Sequence, residues 1–599
     1  MGFRACDPCR ARKVKCDGLQ SGIPCANCRM SSIACQYRDS PKKRGPRKRV
    51  ARSREPVPSL AAVTSSPLPS PTTLEVPTTT AYMASPLPTV NPTADLGLDS
   101  PASFPLGANS PVGLVVPSPG TVTSTPPVFC ALVLGAREAD LEQQVLRVHN
   151  TLIEALARIE PRFPLEVIVS RCIDVYMHVL FGTLPLVHEP TLRAYASLQK
   201  PSLRDDVSQL RLYTLITALC AATARLLSAP SDPNGPLLGP VILHASRQML
   251  QIYHDYDTSH PNSSSLVARQ FQAAALHTEG KRYASGILFG EAFRIAELMH
   301  LHDERSYENL DDPVEAKLRR NAFWMLLAHA RFANIVEGYS FLTHAGYLDS
   351  TITARLSDDA RIPLMDAKAD ATASTLEEQL FVGYSLYQSL WQKASDILLD
   401  LHCILRFHDK TDDCPLPITE TQRNRLACTY VDFLGALDSL PAFLHSPSSV
   451  EADTESQTAI QRRLFWVQRT NLFVTYHALR IILLKHFWRL GLTEVIGMSS
   501  DKAMLFLRIT EIAHDLVTFV AGSPFEALHA NGETCVAKIR QVGVSLLEVI
   551  HQAEALPILL RGKSLFPSIL DLLAKLDSRA SDQLESEYPQ LLESTGPVS

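Results

Sequence analysis

The chain has 599 residues, of which 46% are hydrophobic and 20% charged, with a formal net charge of −5. That length excludes a minidomain and calls for several domains or one large helical one. The composition is that of an ordinary soluble protein and by itself says nothing about nucleic acid. The average conceals an asymmetry, because Met1 to Arg54 holds fifteen Lys or Arg against Asp7, Asp17 and Asp39, a net of +12 that leaves −17 on the other 545 residues. One end is suited to a polyanion. No signal-peptide core, no run approaching roughly 18 apolar residues and no myristoylation pattern is present, so a reducing, soluble setting without membrane contact is expected.

Six of the thirteen cysteines stand at positions 6, 9, 16, 25, 28 and 35, in the pattern C-x2-C-x6-C-x8-C-x2-C-x6-C, whose second half repeats the spacing of the first. In a reducing compartment such bunched thiols are metal ligands rather than disulfides. A C-x2-C pair opening a helix sets two sulfurs on one face, within reach of one tetrahedral ion at about 2.3 Å. Six thiolates cannot give two zinc ions four private ligands each, so two must bridge. The symmetric choice is Cys6 and Cys25, giving one zinc held by Cys6, Cys9, Cys16 and Cys25 and another by Cys25, Cys28, Cys35 and Cys6. Both sites are closed and therefore structural. Asp7 and Pro8 suit the start of a helix, and Gly18, Gly22 and Pro24 punctuate the loop between halves. So short a segment has no apolar core, and metal binding would supply most of its folding free energy.

Arg10, Arg12, Lys13 and Lys15 lie between two zinc ligands, so the metal fixes the direction in which those cations project. Such side chains donate to guanine O6 and N7 in the major groove of double-stranded DNA. The basic run that follows includes Lys42, Lys43, Arg44, Arg47, Lys48 and Arg49; it suits phosphate contact and nuclear import. Cys6 to Cys35 resembles the fungal binuclear zinc-cluster transcription factors. The resemblance implies that Lys13 contacts bases of a CGG triplet and that Arg12 contacts phosphate, with Arg10 and Lys15 matching basic positions of the C-R-x-[RK]-K-x-K-C string. Pro41-Lys-Lys-Arg-Gly-Pro46 further resembles sugar-responsive regulators.

From Pro56 to Pro127 sixteen prolines stand among Ser, Thr, Ala and Val, with no Lys or Arg before Arg137. Such a tract buries too little apolar surface to order itself and is expected to be a linker. Seven Ser/Thr-Pro pairs within it are candidate phosphorylation sites. Beyond it, apolar residues recur at helical spacing in 141–159, 210–227, 287–301, 322–336, 380–401, 458–490 and 503–520, with loops expected at 231–236 and 260–265. No period-2 strand and no fixed repeat is evident. Leu141, Val145, Val148, Leu152, Ala155 and Ile159 fit a short heptad pattern ended by Pro161. A core-facing helix is the expectation, and a homodimer is left open.

Three strings in this region resemble the fungus-specific transcription factor, or middle homology, domain: Leu184-Pro-Leu-Val-His-Glu-Pro190, Ala292–His302 with His300 where glycine is usual, and Arg319-Arg-Asn-Ala-Phe-Trp324. The fold class expected is mainly α: a zinc cluster over 1–38, a basic stretch over 39–54, a disordered linker over 55–135, an all-α regulatory domain over 136–576 and an acidic tail over 577–599. The tail, with Asp582, Glu585, Leu591 and Leu592, is either frayed or a contact for coactivators of the transcription machinery. His300 and His302, two apart on a helix, would not share a face and are not expected to bind metal. Gly562-Lys-Ser564 lacks the upstream glycine of a phosphate loop, and no other catalytic signature is present, so the chain is not expected to be an enzyme. The cofactor expected is a pair of zinc ions.

Overall fold

The structure is a computed structural model that describes Cys25, Cys28 and residues 128–196, 207–227, 234–338, 352–356, 362–366, 373–406 and 418–576. The chain divides into two units, Met1–Ser118 and Pro119–Ser599. Among the described residues the secondary structure is helical and contains no strand, as the sequence periodicity requires. The principal helices of the second unit are α1 (Val128–Ile159), α2 (Leu165–Val175), α3 (Val207–Thr223), α4 (Gly235–Ile252), α5 (Ser263–Thr278), α6 (Arg282–Leu298) and α7 (Pro313–Ile335). They continue with α8 (Ala373–Arg406), α9 (Glu420–Leu434), α10 (Glu455–Arg489), α11 (Lys502–Ala521), α12 (Gly532–Gln552) and α13 (Leu556–Lys575). The acidic tail lies outside the described residues.

Helix α1 starts at Val128, inside the stretch expected to be linker. The prolines stop at Pro127, and the apolar run Val128-Phe-Cys-Ala-Leu-Val-Leu134 that follows offers the helix no barrier. Val145, Leu152 and Leu156 are buried, and α1 lies along α4. Two helices begin where loops are expected. A capping box between Asn262 and Ser265 starts α5 at Ser263, and α4 starts at Gly235 with Pro236 in its first turn, where proline's missing N–H costs nothing.

Helix α3 is surrounded by α2, α4 and α5 and is apolar on every side. Together with the turn Ala224–Leu227 it is long and apolar enough to cross a membrane, but 72% of that window is buried within the protein. Its threonines do not disturb the core, because Thr214, Thr217 and Thr223 donate their hydroxyls to the carbonyls of Leu210, Tyr213 and Leu219 at 2.8, 2.7 and 2.9 Å. At one end Asp257 is fully buried and accepts from Arg211, Arg269 and Ser265 at 3.0, 2.6 and 2.6 Å, and Arg269 also reaches Glu291. This network binds α3, α5 and α6 together. A second buried pair, Lys317 with Glu377 at 2.7 Å, joins α7 to α8, and Glu377 also accepts from the backbone N–H groups of Leu364 and Met365.

Helix α10 is the spine of the unit. Leu464, Phe465, Leu472, Leu479, Leu483 and Phe487 enter a core shared with α1 to α9, while Val474, Ala478, Ile481 and Leu484 enter a second core built with α11, α12 and α13. Where α8 crosses α10, Gln468 donates its amide to the carbonyls of Gly182 and Leu380 at 2.6 and 2.7 Å. Glycine at 383 leaves room for this side chain, since a Cβ there would lie 2.4 Å from the Gln468 side-chain oxygen and displace it.

The strings that resemble the middle homology domain meet in space. After a π-turn at Tyr176–Leu180 the chain extends through Pro185, whose carbonyl accepts from the Asn321 amide at 2.7 Å. Tyr176 donates to the Leu184 carbonyl, and Tyr384 to the Asn321 carbonyl. The Ala292–His302 string forms the end of α6, which stops at Leu298. His300 and His302 therefore stand in the turn beyond the helix, a correction of the expectation that both lie on it. His300 ends the helix in the left-handed region at φ 55°, the only such non-glycine among the described residues. This explains why glycine suits the position. His300→Gly removes a left-handed penalty of about 1 kcal/mol, and a correspondingly raised midpoint in denaturant unfolding is the expected result.

Candidate functional site

Of the six clustered cysteines the structure describes two. Cys25 and Cys28 are 1% and 0% exposed, and Cys28 is helical. Two buried thiols three residues apart have the spacing of a pair of ligands to one metal ion. Cys6, Cys9, Cys16 and Cys35 lie outside the described residues, as do Arg10, Arg12, Lys13, Lys15, Lys42, Lys43 and Arg44. Among the described residues no group of three or more His, Cys, Asp or Glu is placed to hold a metal ion.

The helical unit contains a cavity of about 170 Å³ that sequence reasoning did not anticipate. Phe271 of α5, Met325 and Phe332 of α7, and Tyr387 of α8 form its apolar walls, and Arg225, Asn471 and the start of α12 give it a polar end. A neighbouring chamber of about 260 Å³ shares His277, Phe289 and His329 with it and is also lined by Arg282 and Glu337. His329 lies against Phe289 with ring centroids 4.2 Å apart, and burial holds its pKa down to about 4, so it is neutral at physiological pH. His277 Nε2 stands 3.3 Å from Glu337 Oε1.

Behind the wall formed by Phe332, Tyr387 and Asn471 sits Lys538, 1% exposed. Its ammonium donates to Asn471 Oδ1 at 3.2 Å and Thr475 Oγ1 at 2.8 Å, and lies 5.8, 5.4 and 5.6 Å from the ring centroids of Phe332, Tyr387 and Trp391. The ring faces supply the negative potential that a carboxylate would otherwise provide. Burial nevertheless pushes its pKa down to about 8. One signal for Lys538 exists in the sequence: it interrupts the apolar stripe of Cys535, Ile539, Val542 and Leu546. The cavity as a whole leaves none, because Arg225 meets the carbonyls of His529 and Ala530 from about 300 residues away.

Residues 4–44 match the model of the fungal Zn(2)-Cys(6) binuclear cluster domain. The chain carries this zinc-cluster domain. A transcription factor of Aspergillus niger is 26% identical over 214 residues, 32% of this chain and 25% of the relative. A maltose fermentation regulatory protein of Saccharomyces cerevisiae is 48% identical across 44 residues, 7% of this chain and 9% of the relative. A quinic acid utilization activator of Emericella nidulans is 55% identical across 42 residues, 7% and 5% of the two chains. The match therefore spans a quarter or less of the length of these relatives.

The buried pair Cys25 and Cys28 fits the zinc-cluster domain, whose thiolates hold their metal as a structural element. Elemental analysis of the full chain is expected to find roughly two zinc ions per molecule, and the Cys25→Ala/Cys28→Ala variant is expected to hold less than half of that. A second expectation concerns Lys538. Its folded pKa lies below the unfolded value, so between about pH 8 and 10.5 the unfolded chain binds the extra proton and stability rises with pH. Denaturant midpoints measured across that window should show wild type gaining on the order of 3 kcal/mol over Lys538→Met.

Proposed function

We propose that the chain is a nuclear, zinc-dependent, sequence-specific DNA-binding regulator of transcription that activates RNA polymerase II promoters and is itself regulated through the helical unit. The observation that carries the reading is the zinc-cluster match over residues 4–44, which contains the whole repeated cysteine pattern. Relatives named as transcription factor and utilization activator support it. Cys6, Cys9, Cys16, Cys25, Cys28 and Cys35 hold two zinc ions, with Cys6 and Cys25 bridging. Lys13 reads a CGG-like triplet, Arg12 contacts phosphate beside it, and Arg10 and Lys15 add to the same positive face.

Lys42, Lys43 and Arg44 track the phosphate backbone and double as the import signal, which supports action in the nucleus. Coactivators of the transcription machinery are the protein partners, and the reading accommodates a homodimer on paired triplets. No catalytic step is needed for any of this.

Selection of bound duplexes from a random pool tests the reading directly. A recurring CGG-like triplet is the expected result, and recovery of no motif at moderate salt overturns it. Lys13→Ala is expected to lower affinity for the selected duplex by about 1–3 kcal/mol while sparing random DNA. Neutralising Lys42, Lys43 and Arg44 together should weaken both duplexes alike and flatten the salt dependence.

A further inference from the structure

We propose that the cavity between α3, α5, α7, α8 and the start of α12 binds a small aromatic carboxylate, whose occupancy is the signal that the helical unit receives. The binding site stands on the geometry. The signalling consequence rests on the proposed regulatory reading.

Size sets the first bound. A dry cavity of about 150 Å³ admits benzene, and this one measures about 170 Å³ with a chamber of about 260 Å³ beside it. One ring with a short substituent fits; a nucleotide does not. The walls set the second bound. Phe271, Phe332, Tyr387 and Met325 surround the space, and Phe289 with neutral His329 closes the partition to the second chamber. Aromatic rings and a thioether prefer a planar ring at their edges and faces.

Charge sets the third. Arg225, Arg282, Arg540 and Lys538 stand around the two chambers against Glu533 and Glu337. The carboxylates are fewer than the cations, and in a low-dielectric interior that excess favours an entering anion. Lys538 makes no ion pair with a carboxylate among the described residues; its donors end on an amide and a hydroxyl. Arg225 is fixed at the polar end by the carbonyls of His529 and Ala530 at 2.8 and 2.9 Å. Its approach depends on Gly532, which has φ +62° and whose Cβ would fall 2.8 Å from Arg225 Nη2. Asn531 donates its amide N–H groups to the carbonyls of Val467 and Ala527 and its side chain accepts no cap hydrogen bond from α12, whose first residues Gly532, Glu533 and Thr534 line the cavity. The helix start adds its partial positive charge to the same end.

Calorimetric titration of the full chain with benzoate, phenylacetate and cinnamate, against neutral benzyl alcohol, tests the site. At least one acid is expected to bind with Kd below about 1 mM and about tenfold tighter than the alcohol. Ala274 is exposed at the cavity mouth, so Ala274→Trp should weaken the acid about tenfold without moving the melting temperature. Lys538→Met should weaken the acids by about threefold or more and leave the alcohol unchanged. The site is overturned if no acid binds below about 10 mM, if the alcohol binds as tightly, or if Ala274→Trp has no effect. Duplex selection with the same preparation separates the two readings: a chain that selects a duplex but binds no acid loses only the cavity proposal, and the reverse outcome removes only the DNA reading.

Discussion

Helix α10 buries two opposite faces, and the architecture of the helical unit follows from that constraint. A helix with one apolar stripe joins a single core, but Leu464, Phe465, Leu472 and Phe487 serve one core while Val474, Ala478, Ile481 and Leu484 serve another. With so little of its length facing solvent, the polar groups it carries must find partners inside. Gln468 is shared between the carbonyls of Gly182 and Leu380, and Thr475 receives Lys538. The same demand shapes the neighbours, as the missing side chain at Gly383 shows.

The two ends of the chain solve the problem of stability by different means. The helical unit has apolar area enough for two cores and can accommodate buried ions such as Asp257 with Arg269, provided each keeps its partner. The first 54 residues of the chain, which include the zinc-cluster domain, carry fifteen cations and too few apolar side chains for a core. A zinc-cluster domain takes its order from metal–sulfur bonds.

Much of the helical fold was legible in the sequence because 3.6-residue periodicity survives wherever one face of a helix is buried. It located α1, α3, α6, α7, α8, α10 and α11. Helices α4 and α5 were obscured by what starts them: Gly235-Pro236 and Asn262-Ser-Ser read as loop signals until their neighbours show that they open helices. His300 looked helical because the apolar pattern continues past Leu298, and only backbone geometry shows the left-handed stop. The zinc-cluster domain was legible from the cysteine pattern, since spacing is a local property. The cavity was not. Arg225, Tyr387, Asn471 and Gly532 come together only through tertiary packing, and each alone is an ordinary residue in an ordinary helix or turn.

The length of α10 carries one more implication. Its 35 residues span roughly 50 Å at 1.5 Å per residue, and Asn471, which borders the cavity, sits about midway along this rod. Withdrawing the rod strips both hydrophobic clusters at once, which couples the loss of one to the loss of the other. The helical unit should accordingly behave as a single cooperative block, and whatever fills or empties the space beside Asn471 bears on the integrity of the whole rather than on one local corner.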